Sequence, residues 1–282
     1  MPSHPYFKKE VVLTSKHKKI DLIKPAFDIS VGCNIFELPL DTDQLGTFSG
    51  DIARLDPPLE TAIKKARLGM SHTGTPLGIA SEGSIGPDPI VPFLHSDIEH
   101  MVFVDDANEI VISESFRSFD ITISTITVAP SEDLIQFLQK ADFPNHNLIV
   151  RPNTKDKQGA FKGVRELPQL LEAIEKCANL SPDGLVVIES DLRAMSSPSR
   201  QKNIEHVANL LALRVSNLCA ECKTPGWGCV GYEKGLKCSE CGFENQLAIR
   251  QEILGCTKCE FTKLGKVISF NLNPANCDFC NP

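Results

Sequence analysis

Short apolar runs that end in polar or glycine-rich segments recur along the first two hundred residues, and most are followed by a stretch with helical spacing. Val11, Val12 and Leu13 read as a strand, and Ile20, Leu22, Ile23 and Phe27 continue as a helix. A second strand covers residues 34–38. Leu59, Ala62, Ile63, Ala66 and Met70 then form one buried helical face, with Asp56 as N-cap, Pro57 in the first turn and Glu60 on the side away from the stripe. Leu77, Ile79 and Ala80 read as a buried strand of about four to six residues that delivers Glu82 into a turn containing Gly83 and Gly86. Three strands of a meander follow near residues 101–104, 109–113 and 121–128, rich in β-branched side chains. Beyond them the rhythm alternates: a helix through Leu134, Ile135, Leu138 and Ala141 with Ser131 as N-cap and Asp133 in its first turn, a strand at 148–150, a helix at 167–178, a strand at 185–188 and a helix at 203–215. Such alternation predicts an α/β domain over residues 1–217 with a mixed central sheet flanked by helices.

The polar segments at the strand ends carry the candidate chemistry. Thr14, Ser15, Lys16, His17, Lys18 and Lys19 place two hydroxyls and three ammonium groups between a strand and a helix start, a combination suited to a phosphate although it lacks the glycines of a P-loop. Solvated charge is the plain alternative for that run. Residues 39–51 form an acidic loop that includes Asp43, and either local turn chemistry or function accounts for it. Glu82 reads either as a surface turn carboxylate or as a site residue at a strand's carboxyl end. In the polar loop 189–200, Ser197 or Ser199 is a helix cap, while Arg193 and Arg200 are candidate phosphate ligands.

Composition narrows the classes. With 282 residues, 41% hydrophobic and 23% charged, the chain can bury a sizeable core. No apolar run is long enough to span a bilayer and no signal-peptide core opens the sequence, so no membrane is expected and the cytoplasm is the expected compartment. A net charge of −7 argues against general nucleic-acid binding. Eight of the eleven cysteines fall in four C-x-x-C pairs after residue 218, which in a reducing compartment reads as metal ligation. Cys219, Cys222, Cys238 and Cys241, then Cys256, Cys259, Cys277 and Cys280, suit two four-thiolate zinc sites paired in sequential order, with cross-braced pairing as the alternative that spacing leaves open; thiolates alone leave iron as a minor alternative. Four thiolates leave no open coordination position, so a structural role is expected for a small tandem zinc-ribbon-like module over 218–282. Seven basic and seven acidic residues in that module, before the charge of the thiolates, favour a protein contact over nucleic acid.

Through the segments TSKHKK, DTDQLGTFSG, LETAIKKA, ASEGSIGP, RPN, SPDG, ESDLRA, SPSR and the cysteine pairs, the whole chain resembles an uncharacterised bacterial family with no established function. More distantly, residues 11–217 resemble the inosine triphosphate pyrophosphatase-like superfamily, in which a strand ends in a phosphate-binding corner, a helix with an E-x-A-x-x-K/R-A pattern follows, and an acidic strand end binds magnesium. The matching positions here are Thr14 to Lys19, Glu60 to Ala66 and Ser81, Glu82 and Gly83. Lys16 stands where that superfamily has Asn, a single Glu82 replaces paired acids, and no segment answers to its base-recognition stretch. The resemblance implies a metal-dependent pyrophosphatase acting on a nucleoside triphosphate or related phosphoanhydride: Glu82, Lys18 and Lys19 catalytic, Thr14, Ser15, Lys16 and Arg200 on phosphate, Glu82 with Asp43 on magnesium or manganese. The alternative is a nucleotide-binding protein without catalysis whose zinc module docks on a partner protein.

Overall fold

The computed structural model describes residues 4–42, 55–155 and 158–282. Asp43 and most of the acidic loop therefore lie outside the described residues. Strand β1 (Glu10–Thr14), helix α1 (Ile20–Ser30), strand β2 (Asn34–Leu38), helix α2 (Pro58–Thr73) and strands β3 (Leu77–Pro87), β4 (His95–Asp105) and β5 (Ile110–Ser118) build a first sheet of order β2-β1-β3-β4-β5. The first three in that order run parallel and the hairpins β3-β4 and β4-β5 are antiparallel.

Side-chain alternation gives this sheet two buried faces. Val12, Ala80, Val102 and Val104 meet Ala62, Ala66 and Met70 of α2 on one. Leu13, Ile79, Met101 and Phe103 meet α1 and helix α5 (Pro198–Ser216) on the other. Helix α2 lies so close that a β-carbon on Gly69 would collide with Thr14. Asp56 does not cap α2; Pro57 occupies that position and the Asp56 carboxylate pairs with Lys64 at 2.6 Å. Leu134, not Ser131, occupies the N-cap position of helix α3 (Ile135–Lys140), where the backbone N–H of Ile135 donates to Asp133. Ser197 precedes α5 without a side-chain capping bond.

The expected single central sheet is two. Strand β6 (Thr125–Val128) leaves the meander and joins β7 (Leu148–Pro152), β8 (Phe161–Val164) and β9 (Val186–Ser190) in an antiparallel sheet of order β6-β9-β7-β8. Helix α3 and helix α4 (Leu167–Leu180) cover one of its faces around Leu148, Val150, Leu170 and Ile188. The β-branched alternation at 121–128 identifies a strand; it carries no information about which sheet accepts it.

The last element is a three-stranded antiparallel sheet of β10 (Gly228–Lys237), β11 (Glu244–Gly255) and β12 (Thr262–Val267). It buries little beyond Leu236, Leu272, Cys238 and Cys277. No helix among the described residues is long and apolar enough to cross a membrane.

Candidate functional site

β1 stops at Thr14 while β3 runs on to Pro87, and their last register pair is Leu13 with Ile79. Residues 81–83 of β3 thus lie beyond the carboxyl end of β1, where a parallel sheet opens toward ligands. Glu82 is consequently not in a turn at the end of a short strand, because pairing with β4 holds β3 extended along its whole length from Leu77 opposite Asp105 to Pro87 opposite His95.

The pocket at that opening is lined by Thr14, Ser15, Lys16, His17 and Lys19 from the corner, Thr42, Lys65 of α2, Ser81, Glu82 and Gly83 of β3, and Arg200 of α5. The corner and Glu82 therefore meet in one place. Lys18, at φ 51°, is exposed and does not line the pocket.

Because successive strand residues point to opposite faces, the pocket receives side chains from both. On the α2 face Lys65 Nζ lies 2.5 Å from Glu82 Oε2. On the α1 and α5 face Lys19 Nζ donates to Ser81 Oγ at 2.9 Å, and its backbone N–H donates to Glu37 at 2.9 Å. Burial pulls Lys19 down to about 8, with Arg200 and Lys65 adding to the fall and Glu99 and Glu82 opposing it. The Arg200 guanidinium donates to Glu99 Oε1 at 2.6 Å and to the Leu192 carbonyl at 2.8 Å, and is itself buried. A β-carbon at Gly83 would collide with Arg200 Nη2 and crowd Glu99, so glycine is required for this approach.

Behind Arg200 stand two buried acids on alternate positions of β4. Burial alone would raise Glu99, but Arg200 and Lys19 outweigh it and hold its carboxyl below the ordinary range. Asp97 is pushed up to about 7 by burial and by the neighbouring Glu99 charge, although Asn203 donates to it. Among the described residues, Thr14 Oγ1, Asp97 Oδ1 and Glu99 Oε2 are buried without hydrogen-bond partners.

Among the described residues, Lys16, Lys19, Lys65 and Arg200 face the pocket against one lining carboxylate, Glu82, while Lys16 pairs with Asp41 at 3.0 Å and Arg200 with Glu99 at 2.6 Å. A convergence of this sign suits an anion. Sequence reasoning missed Lys65, Glu99 and Asp97. The signal for the acids was present: in DIEHMVF, Asp97 and Glu99 occupy the same alternation as the buried Met101 and Phe103.

Among the described residues, the groups of three or more metal-ligating side chains that come together are two cysteine tetrads. Cys219, Cys222, Cys256 and Cys259 form one; Cys238, Cys241, Cys277 and Cys280 form the other. The expected sequential pairing is overturned: the first pair joins the third and the second joins the fourth. Ten residues of β10 at roughly 3.3 Å each carry the second pair to the far end of the sheet, and β11 returns the third to the near end. Sulfur separations of 3.8, 3.5, 3.8 and 3.7 Å agree with the ~3.8 Å edge of a tetrahedron whose metal–sulfur bonds are ~2.3 Å. Each tetrad could therefore hold a metal ion such as zinc. Cys33 and Cys177 are buried in apolar cores and pushed up to about 11 by that burial, and Cys229 belongs to neither tetrad.

Comparison with curated proteins finds no match. A family model described as a domain of unknown function, DUF6671, matches residues 65–282, a span that begins at Lys65 and takes in Glu82, Glu99, Arg200 and all eight tetrad cysteines, and the chain belongs to that family.

Proposed function

We propose that the pocket beyond β1 binds the phosphate groups of a nucleotide or related phosphoanhydride and that the protein hydrolyses it. The observation that carries this reading is the convergence of Lys16, Lys19, Lys65 and Arg200 on one small pocket with the Thr14 and Ser15 hydroxyls. Fixed cations of this kind stabilise charge that develops on transferred and leaving phosphoryl oxygens. The arrangement is also consistent with the inosine triphosphate pyrophosphatase-like resemblance of residues 11–217. Glu82 is the described residue that would hold a magnesium or manganese ion, since such ions take one or two carboxylates and complete their shell with phosphate oxygens and water; when bound, the ion would neutralise phosphate charge and polarise a water for attack. Lys65 must then give up Glu82 to the metal and turn to the phosphates.

That requirement favours a second reading. Glu82 is already neutralised by an ammonium group at 2.5 Å, a pair that a protein binding a phosphate-bearing molecule without a metal and without cleavage would not have to break. In that reading the two tetrads hold structural zinc ions and their sheet contacts a protein partner. Incubating the full chain with a panel of nucleotides and magnesium or manganese, with released phosphate and pyrophosphate measured, separates the two. A hydrolase releases product; a binder shows only stabilisation that grows as RT ln(1 + [L]/Kd). Neither product nor stabilisation for any phosphate-bearing compound rejects both.

A further inference from the structure

The four cations of the phosphate pocket are not equivalent. Lys65 pairs with Glu82 at 2.5 Å, Arg200 with Glu99 at 2.6 Å and Lys16 with Asp41 at 3.0 Å, so each of these charges stands against a carboxylate. Arg193, a phosphate candidate on sequence grounds, is clamped on both oxygens of Asp191 and does not line the pocket. Lys19 differs from all of them. Among the described residues its Nζ forms no ion pair, and its hydrogen-bond partner is the Ser81 hydroxyl at 2.9 Å. Although only 6% exposed, Lys19 reaches the pocket wall, as Ser81 does.

Local structure fixes where that amine stands. Lys19 occupies the N-cap position of α1; its carbonyl accepts from the backbone N–H groups of Leu22 and Ile23, each at 3.1 Å, while its own N–H donates to Glu37 at 2.9 Å. From this anchored backbone the side chain runs out of water to a place beside Arg200 and Lys65. Burial is the largest influence on its protonation, and the two cations add to it; Glu99 and Glu82 oppose them, and the ammonium gives up its proton at about 8. Asp97, behind Glu99 on β4, also feels the Lys19 charge. A desolvated lysine set next to other cations is the arrangement that activates an amine as a nucleophile.

We infer that Lys19 Nζ captures a carbonyl group: it forms an imine with a short-chain aldehyde or ketone whose phosphate is held by Lys16, Lys65 and Arg200. The inference rests on the phosphate-binding part of the reading above and not on hydrolysis. The amine lone pair attacks the carbonyl carbon, a C–N bond forms, and the C=O π pair moves onto oxygen, which gains a proton as nitrogen loses one. The carbinolamine then breaks its C–O bond; the hydroxyl leaves as water with the remaining proton of nitrogen, and the C=N bond closes. One water is released and no oxidant or reductant is consumed. Ser81 Oγ, bonded to Nζ, is placed to pass these protons. A pocket of about 40 Å³ has no space for a ring beside a phosphoryl group, so the carbonyl stands one or a few bonds from the phosphate. The three ion pairs need not break, since lysine and arginine keep further N–H donors for phosphate oxygens.

Reductive trapping on the full chain tests this. Glycolaldehyde phosphate, with cyanoborohydride present to reduce the imine to a secondary amine, is the probe, and peptide mapping reads each label as the mass of the probe less one oxygen atom. At about pH 8, Lys19 is expected to be marked roughly tenfold or more above Lys18, which is exposed outside the pocket. Unphosphorylated glycolaldehyde should mark Lys19 roughly tenfold less, the value of a charge-assisted hydrogen bond to the phosphate, and inorganic tripolyphosphate should protect the residue. The labelling rate should rise as pH approaches about 8. Lys19→Arg keeps a cation and removes the primary amine, so it should still bind tripolyphosphate and take no label in the pocket. Mapping on the parent chain decides the question even where that variant does not fold. Tripolyphosphate binding with Lys19 marked no more than Lys18 overturns this inference and leaves the phosphate pocket standing. Labelling of Lys19 that ignores the probe's phosphate and is not blocked by tripolyphosphate overturns the phosphate reading and the inferred ligand class with it.

Discussion

Lys65 Nζ lies 2.5 Å from Glu82 Oε2 with both side chains nearly buried, so the family's matched region opens on one half of an ion pair whose other half faces the same pocket. Removing one partner of such a pair leaves a charge without compensation, and Lys65→Met is expected to destabilise the fold by roughly 3–5 kcal/mol, read by denaturant unfolding. Glu82→Gln keeps the shape and an acceptor oxygen, so folding survives. Its effect on function divides the two readings: turnover falls on the order of 10²-fold or more if Glu82 serves hydrolysis, whereas a binder gains affinity for tripolyphosphate because a repelling carboxylate is gone.

Lys19 gives the pocket a pH signature with opposite signs for stability and binding. Its pKa is lowered in the folded state to about 8 from 10.5, so the unfolded chain binds more protons between those values and stability rises with pH across that window. Below about 8 the cost of the buried ammonium is fully present. Anion binding needs that charge, so tripolyphosphate affinity is expected to fall as pH rises through about 8. Lys19→Met should flatten both profiles. Lys18→Ala should change either little, because that side chain is exposed outside the pocket; a large effect at Lys18 and none at Lys19 would reverse the assignment.

Asp97 supplies the converse test. Its carboxyl is pushed up to about 7 by burial and by Glu99, so the folded chain binds more protons than the unfolded one between about 4 and 7 and stability from this group declines as pH rises through that range. Asp97→Asn retains an acceptor for Asn203 and removes the repulsion. At pH 8 the variant should be the more stable protein, and at pH 4 the difference should vanish.

Interleaved tetrads make the two metal sites unequal. The tetrad of Cys219, Cys222, Cys256 and Cys259 adjoins α5 and the first sheet: Arg214 Nε of α5 donates to the Gly226 carbonyl at 3.3 Å, and Gly226 lies so close to Ile112 of β5 that a β-carbon there would collide with it. Each site is expected to hold one zinc ion, giving two per chain by elemental analysis. Cys241→Ser should release one and loosen the far end of β10 and β11 alone. Cys222→Ser should also release one, but with a lower unfolding midpoint for the α/β part, since the cross-link next to α5 is lost. Retention of both metals in either variant would reject the tetrads as ligand sets.

Much of this was legible in the sequence where local chemistry and position agreed. The strand at 34–38 matches β2, and the hydroxyl and lysine corner, Lys18 apart, lines a pocket because polar groups interrupt an apolar run at the end of β1. Glu82 was misplaced in a turn because Ser-Glu-Gly-Ser carries turn composition, while the pairing with β4 that keeps it extended is a long-range fact. Lys65 sits among helical lysines of which Lys64 is a solvent-side partner of Asp56, and only the depth of α2 on β3 separates the two. Strand β8 contains Gly163 at φ 78° and is too short to announce itself. The tetrad pairing was out of reach because spacing counts residues without saying which end of a strand they reach.

His146 connects the second sheet to the pocket. Its Nε2 accepts from the Ser199 backbone N–H at 3.2 Å and lies 2.9 Å from Ser199 Oγ, while Nδ1 lies 2.8 Å from Asp142. A ring nitrogen that accepts from a backbone N–H carries no proton, so the proton belongs on Nδ1, facing the carboxylate. Ser199 also accepts from Thr122 N–H at 3.1 Å, and it directly precedes Arg200 in the first turn of α5. The chain of bonds thus fixes the helix start that presents Arg200 to Glu99. His146→Ala leaves a buried N–H of Ser199 without an acceptor, at a cost of roughly 1–3 kcal/mol in unfolding free energy. It should also weaken tripolyphosphate binding by more than that loss of stability explains under conditions where the variant is fully folded, because Arg200 is less well held. His146→Gln, whose carbonyl can replace the acceptor, should restore much of the affinity. If His146→Ala binds tripolyphosphate as the parent does while folded, His146 merely braces the junction and Arg200 is positioned by Glu99 and Leu192.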